Sequence, residues 1–146
     1  MSENIAHIKA TARRFWEEIW PNGDLAGLAE VLHPKGINHE APPGISDDFE
    51  GTKQTMLWLG AAFSDQHYEV HQIVAEGDMV AVHLTHRGRH TGEFMGIPPT
   101  GREFANRHVH IMRFQDGRSI EHWAVRDDAS LLRQLTGERP ESAPAA

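Results

Sequence analysis

The stretch ANRHVHIMRFQDGRSIEHWAVRDDASLLRQL, residues 105–135, decides how this chain is read. Two runs rich in Val, Ile, His and aromatic residues flank Asp116-Gly117, a pair that accepts the left-handed backbone of a tight hairpin turn. Counted from a two-residue turn, Gln115 pairs with Arg118. His110 then stands opposite Trp123, His108 opposite Val125 and Asn106 opposite Asp127. Alternation along the last strand carries Asp127 onto the face of Trp123 and Val125, so a carboxylate is expected to point where apolar side chains point. A three-residue loop with a glycine bulge would flip the partner face and bring Val109 and Ile111 there instead.

A carboxylate aimed into an apolar cavity is poorly hydrated and becomes a stronger base, which suits removal of a proton from carbon beside a carbonyl. The plainer role for the same residue is to cap the helix that ASLLRQL begins. Asp128 is the better cap by position. If Asp128 caps, Asp127 is freed for the cavity.

Working outward, HYEVHQIVAE (67–76), DMVAVHLTHRGRHTG (78–92) and REFANRHVHIMRF (102–114) read as further strands, separated by Glu76-Gly77-Asp78 and the longer MGIPPTG. Before them, Ile5, Ile8, Ala12, Phe15 and Ile19 recur at helical spacing and predict one helix from Ile5 to Trp20. PNGD breaks it, and Asp24 caps a second helix over Leu25 to Leu32, stopped by His33-Pro34. A short strand fits GINHEAPPG, and a third helix fits Asp47 to Phe63. Helices followed by a strand meander make an α+β fold, with the helices on one face of a mostly antiparallel sheet.

The totals narrow the function. The 146 residues suit a single domain, 1–137, and the polar, Pro/Ala-rich residues 138–146 are expected to be a disordered tail. A formal charge of −7 with 14 scattered basic residues argues against nucleic acid as a partner. No run is long enough to span a bilayer and the N-terminus has no apolar leader, so no membrane partner is expected and the location is read as cytoplasmic. The chain has no cysteine, hence no disulfide and no thiolate chemistry. Among its 11 histidines, His108-x-His110 and the pair His67 and His71 have ligand-like spacing, but no third ligand stands at a diagnostic distance, so no metal is expected. Trp16, Trp20, Trp58, Phe63, Phe94 and Trp123 are candidates to line a pocket for a flat apolar molecule, and His39, before Pro42-Pro43, to hydrogen-bond it.

HTGEFMGIPPTGR and EHWAVRDDASLLRQL, with FWEEIWPNGDLAGLAEVLHP and NHEAPPG earlier, resemble the SnoaL-like polyketide cyclase family from about Phe15 to Leu135. The resemblance implies the nuclear transport factor 2-like, cystatin-like α+β barrel: a cone-shaped, strongly curved sheet closed by N-terminal helices around a deep apolar pocket. It implies an intramolecular aldol ring closure without metal or organic cofactor, on a small apolar carbonyl-containing substrate. The family's general acid/base is an aspartate at the end of the last strand, four residues after the tryptophan, which is Asp127 here. His39 matches the family's histidine before the paired prolines. A homodimer formed through the sheets is also implied. Because one fold hosts many activities, a non-catalytic binder of hydrophobic ligands, or a hydrolase, dehydratase or isomerase using the same aspartate, stands as the alternative.

Overall fold

A computed structural model describes residues 3–137 of the protein; the expected tail, 138–146, lies outside them. Helix α1 (Ile5–Arg14) is capped by Asn4, whose side chain accepts from the amide of His7. It runs directly into a π-turn, Phe15–Ile19, closed by a bond from Trp20 N–H to the Phe15 carbonyl. The sequence predicts one uninterrupted helix here. The extra residue in the turn brings the neighbours Phe15 and Trp16 to the interior together, which regular α-helical spacing does not do. Helix α2 (Leu25–Val31), capped by Asp24, passes straight into strand β1 (Leu32–Asn38), so His33-Pro34 is part of the strand. Helix α3 (Phe49–Ala62), capped by Asp48, ends one residue before strand β2 (Phe63–Glu76); Phe63 therefore opens the sheet and does not close the helix.

Strands β3 (Met79–His90), β4 (Glu103–Gln115) and β5 (Arg118–Arg126) complete a curved five-stranded sheet of order β1-β5-β4-β3-β2. β1 lies parallel to β5 and the other pairs are antiparallel. Helix α4 (Asp128–Leu135) packs back on β4. Its Gln134 accepts from the backbone amide of Ala105 at 2.8 Å and donates to the carbonyl of Ala105 at 2.9 Å, taking the place of a neighbouring strand. The larger core joins α1, the π-turn and α2 to the concave sheet face through Ile8, Phe15, Trp16, Leu28, Tyr68, Val82, Leu84 and Met112. A second cluster, with Phe63, Phe94, Phe104, Leu131 and Leu135, seals α4 and the β3–β4 connection against the start of β2.

Asp116 and Gly117 both have positive φ, 54° and 77°, and Gln115 does pair with Arg118. The register beyond them differs from the prediction. Phe114 pairs with Ser119 but Arg113 pairs with Glu121, so Ile120 is an extra residue in β5. The bulge moves every later partner by one. His110 stands opposite Ala124, His108 opposite Arg126, and Trp123 opposite Ile111. No helix among the described residues is long and apolar enough to cross a membrane.

Candidate active site

A cavity of about 370 Å³ opens between the concave face of the sheet and the helices. That volume suits a drug-sized ligand. The π-turn contributes Phe15 and Trp16, α3 contributes Trp58 and Leu59, and the start of β2 contributes Phe63. Phe94, on the β3–β4 connection, stacks on Trp58 with ring centres 5.1 Å apart and planes within 20°. The walls are mostly apolar, and most polar side chains lie along the sheet, with Thr52 and Thr55 on α3, Asp128 on α4 and Glu40 just past β1.

Five of those on the sheet form one hydrogen-bonded row across β4, β5 and β1. Asn106, His108 and His110 alternate inward on β4 and are all buried. Asn106 Nδ2 meets His108 Nε2 at 3.1 Å, His108 Nδ1 meets His110 Nε2 at 3.1 Å, and His110 Nδ1 meets His122 Nε2 at 2.8 Å. His122 Nδ1 then meets Asn38 Oδ1 at 2.7 Å. The direction of the row follows from its last member. The backbone amide of Glu40 donates to Asn38 Oδ1 at 3.0 Å, which fixes that atom as an oxygen and makes His122 Nδ1 a donor. A neutral imidazole has one donor and one acceptor nitrogen, so each ring sets the next. His122 accepts from His110 Nδ1–H, His110 accepts from His108 Nδ1–H, and His108 accepts from the Asn106 amide.

Neutrality is what burial dictates. Burial, joined by the charge of Arg126, pushes His86 and His122 down to about 3. Burial first, then neighbouring histidines and Arg126, holds His108 and His110 well below the usual histidine range. Tyr68, stacked on His86 with ring centres 4.1 Å apart, is raised by burial. Trp16 covers His110 at 3.9 Å between ring centres. Two buried atoms of cavity-lining residues, Trp16 Nε1 and Asn106 Oδ1, have no hydrogen-bond partner among the described residues. Among the described residues no three His, Asp or Glu side chains are grouped to hold a metal ion.

The predicted site residues divide into two sets. Trp16, Trp58, Phe63, Phe94, Asn106, His108 and His110 all line the cavity. Trp123, His39 and Asp127 do not. The bulge at Ile120 turns Trp123 to the opposite side of β5, beside Ile111, where it stacks on His39 with ring centres 4.8 Å apart and planes within 11°. His39 also bonds Glu121 Oε2 at 2.9 Å. Asp127 Oδ1 accepts from the amide of Ser130 at 3.2 Å and caps α4, whereas Asp128 is the aspartate that lines the cavity. The cap is therefore Asp127 and not Asp128, because helix α4 starts at Asp128, one residue earlier than the sequence suggests. His122 and Arg126 are cavity residues that the sequence reading missed. Only a bulge at Ile120 turns them inward, and no local residue pattern announces it.

The family model described as SnoaL-like polyketide cyclase matches residues 10–135. The chain belongs to this family. It is 34% identical over 121 residues to nogalonic acid methyl ester cyclase of Streptomyces nogalater, covering 82% of this chain and 90% of that one. It is 30% identical to the aklanonic acid methyl ester cyclase AcmA of Streptomyces galilaeus, covering 97% and 96%. Among solved structures, IdmH from Streptomyces antibioticus superposes with a TM-score of 0.77 at 36% identity, over 88% of this chain and 98% of that one. The fold of this SnoaL-like chain is accordingly the nuclear transport factor 2-like α+β fold.

Proposed function

We propose that the protein is a polyketide cyclase that closes a ring in an apolar, carbonyl-rich ester by an intramolecular aldol reaction. One observation carries the reading: a cavity of about 370 Å³, walled by aromatic rings and floored by a row of neutral polar groups, in a chain similar over nearly its whole length to two methyl ester cyclases. Such a cavity folds a flexible substrate so that its two reacting carbons meet. Pre-set proximity of this kind is worth roughly 7–11 kcal/mol in well-oriented intramolecular reactions.

In this reading the proton is removed by the carboxylate at the β5–α4 junction. Asp127 lies between two cavity-lining residues, Arg126 and Asp128, and its bond from Ser130 N–H fixes the orientation of the carboxyl group. Asp127 takes the proton from carbon next to a carbonyl, the enolate carbon attacks a second carbonyl of the same molecule, and the proton returns to the new alkoxide.

The test uses aklanonic acid methyl ester and nogalonic acid methyl ester as substrates, with ring closure followed by chromatography. Asp127→Asn is expected to bind either ester and lose turnover. Full turnover in Asp127→Asn together with its loss in Asp128→Asn would transfer the role to the neighbouring carboxylate. Tight binding without product in the unmodified protein would replace the cyclase with a ligand-binding protein. That second reading is favoured by one feature, the engagement of the Asp127 carboxylate as a helix cap.

A further inference from the structure

Arg126 is the only Lys or Arg lining the cavity among the described residues. It is the last residue of β5, half-buried, and directly opposite His108 on β4. Other arginines of the sheet have evident partners: Arg113 is held by Asp78 and Glu121, and Arg89 by Glu103. Arg126 has neither an ion pair nor a hydrogen bond among the described residues. Its charge reaches across the cavity wall, since it depresses His86, His108, His110 and His122 after burial and acts on Tyr68 as well.

A cation set against an apolar cavity and left unpaired is costly unless something supplies the opposite charge. The protein wall does not supply it here. The buried histidines are neutral and donate to one another. Of the lining acids, Glu121 is engaged by Arg113 and His39. Asp128 is exposed, and the structure shows no bond from either Asp128 or Glu40 to Arg126. The guanidinium is a planar fork of donors matched to two oxygens in one plane.

We propose that Arg126 is a catalytic residue that binds the paired oxygens of a 1,3-dicarbonyl substrate, such as a β-keto ester, and holds the enolate formed from it. The inference rests on the cyclase reading and deepens it by naming the substrate class. When the C–H bond between the two carbonyls breaks, the proton goes to the junction carboxylate. The electron pair spreads onto both oxygens, where the guanidinium neutralises the charge. The enolate carbon then attacks a third carbonyl of the same molecule, whose oxygen takes the proton back from the junction carboxylate, and the two held oxygens return to neutral carbonyls. The residue thus serves as the site's oxyanion-binding group, placed by the same bulge that turns Trp123 away.

The experiment reads acidity and not turnover. 1-Phenylbutane-1,3-dione is titrated spectroscopically, free and bound, by the near-ultraviolet band of its enolate. The unmodified protein is expected to increase the acidity of the bound diketone at least tenfold. Arg126→Gln is expected to abolish that increase and Arg126→Lys to restore part of it. Butyrophenone, the size-matched monoketone, is expected to bind the unmodified protein and Arg126→Gln within twofold of each other, which also shows that the variant is folded. 2-Naphthoate tests the other planar two-oxygen anion. The proposal is overturned if Arg126→Gln leaves the diketone's acidity shifted, if the unmodified protein does not shift it, or if only naphthoate binding depends on Arg126. A protein that acidifies the diketone through Arg126 yet fails to cyclise either methyl ester keeps this inference and loses the cyclase reading.

Discussion

The ladders β3–β4 and β4–β5 share a strand and differ by one residue. From Met79 opposite Arg113 to Arg89 opposite Glu103, the first runs without a break. The second begins with a regular turn and slips at Ile120. Along the unbroken ladder, alternation alone tells which side chains face the cavity, and His86, Asn106, His108 and His110 all do. Along the broken one, the slip exchanges Trp123, Val125 and Asp127 for His122, Ala124 and Arg126. A single inserted residue therefore decides whether the cavity meets an indole and a carboxylate or an imidazole and a guanidinium.

The most drastic way to break the comparison is to delete Ile120. Regular pairing would then turn Trp123 inward and Arg126 outward, against a core built for the opposite arrangement. A loss above roughly 4 kcal/mol, or failure to fold, is expected by urea denaturation, because a one-residue slip reverses every side chain of the strand.

Acid sharpens the contrast between the buried histidine row and the rest of the molecule. His86 has a folded value of about 3, and His108 and His110 are also lowered. Below the ordinary histidine value near 6.5 the unfolded chain therefore binds more protons than the folded one. The contribution is fully present above that value and is lost as pH falls toward 3. Urea unfolding at pH 7, 6 and 5 is expected to show, for each such histidine, a decline of about 0.7 kcal/mol over the first unit and about 1.2 kcal/mol over the second. A stability independent of pH across that interval would mean the row is charged or open to water.

Removing one ring of the row comes next. His110 is 1% exposed, and His110→Ala leaves a cavity beside Trp16 and strips partners from His108 Nδ1–H and His122 Nε2. The expected cost is about 2–4 kcal/mol, checked by the urea midpoint. On the side set by the slip the effects shrink. Asp127→Ala is expected to cost about 1 kcal/mol through the lost cap, whatever it does to turnover. Val125, 76% exposed on the outer face, is expected to tolerate Val125→Ala within about 0.5 kcal/mol.

The same comparison explains what could be read from residues alone. The helix cap at Asp24, the Asp116-Gly117 turn and the alternation that puts Asn106, His108 and His110 on one face are local facts, each visible in a few neighbouring letters, whereas which face turns inward depends on the register across the hairpin. The π-turn is not, because Phe15 and Trp16 are both greasy and spacing cannot tell which of two adjacent aromatics yields. Neither is the slip at Ile120, which answers to β1 packing beside β5 as much as to β5 itself. The site suffers most, since Arg126, His122 and the capping role of Asp127 all lie downstream of that residue. Gln134, standing in for a strand beside Ala105, is legible only once α4 has docked.

The bond from the Glu40 amide to Asn38 has a reach out of proportion to its size. By anchoring one oxygen it orients four hydrogens in series, so the imidazoles add their dipoles head to tail and present lone pairs in one sense only. Reversing that polarity would require both terminal amides to rotate and every ring to exchange its tautomer in concert. A segment of main chain near Pro42-Pro43 thereby holds an electrostatic orientation that extends across three strands to Asn106.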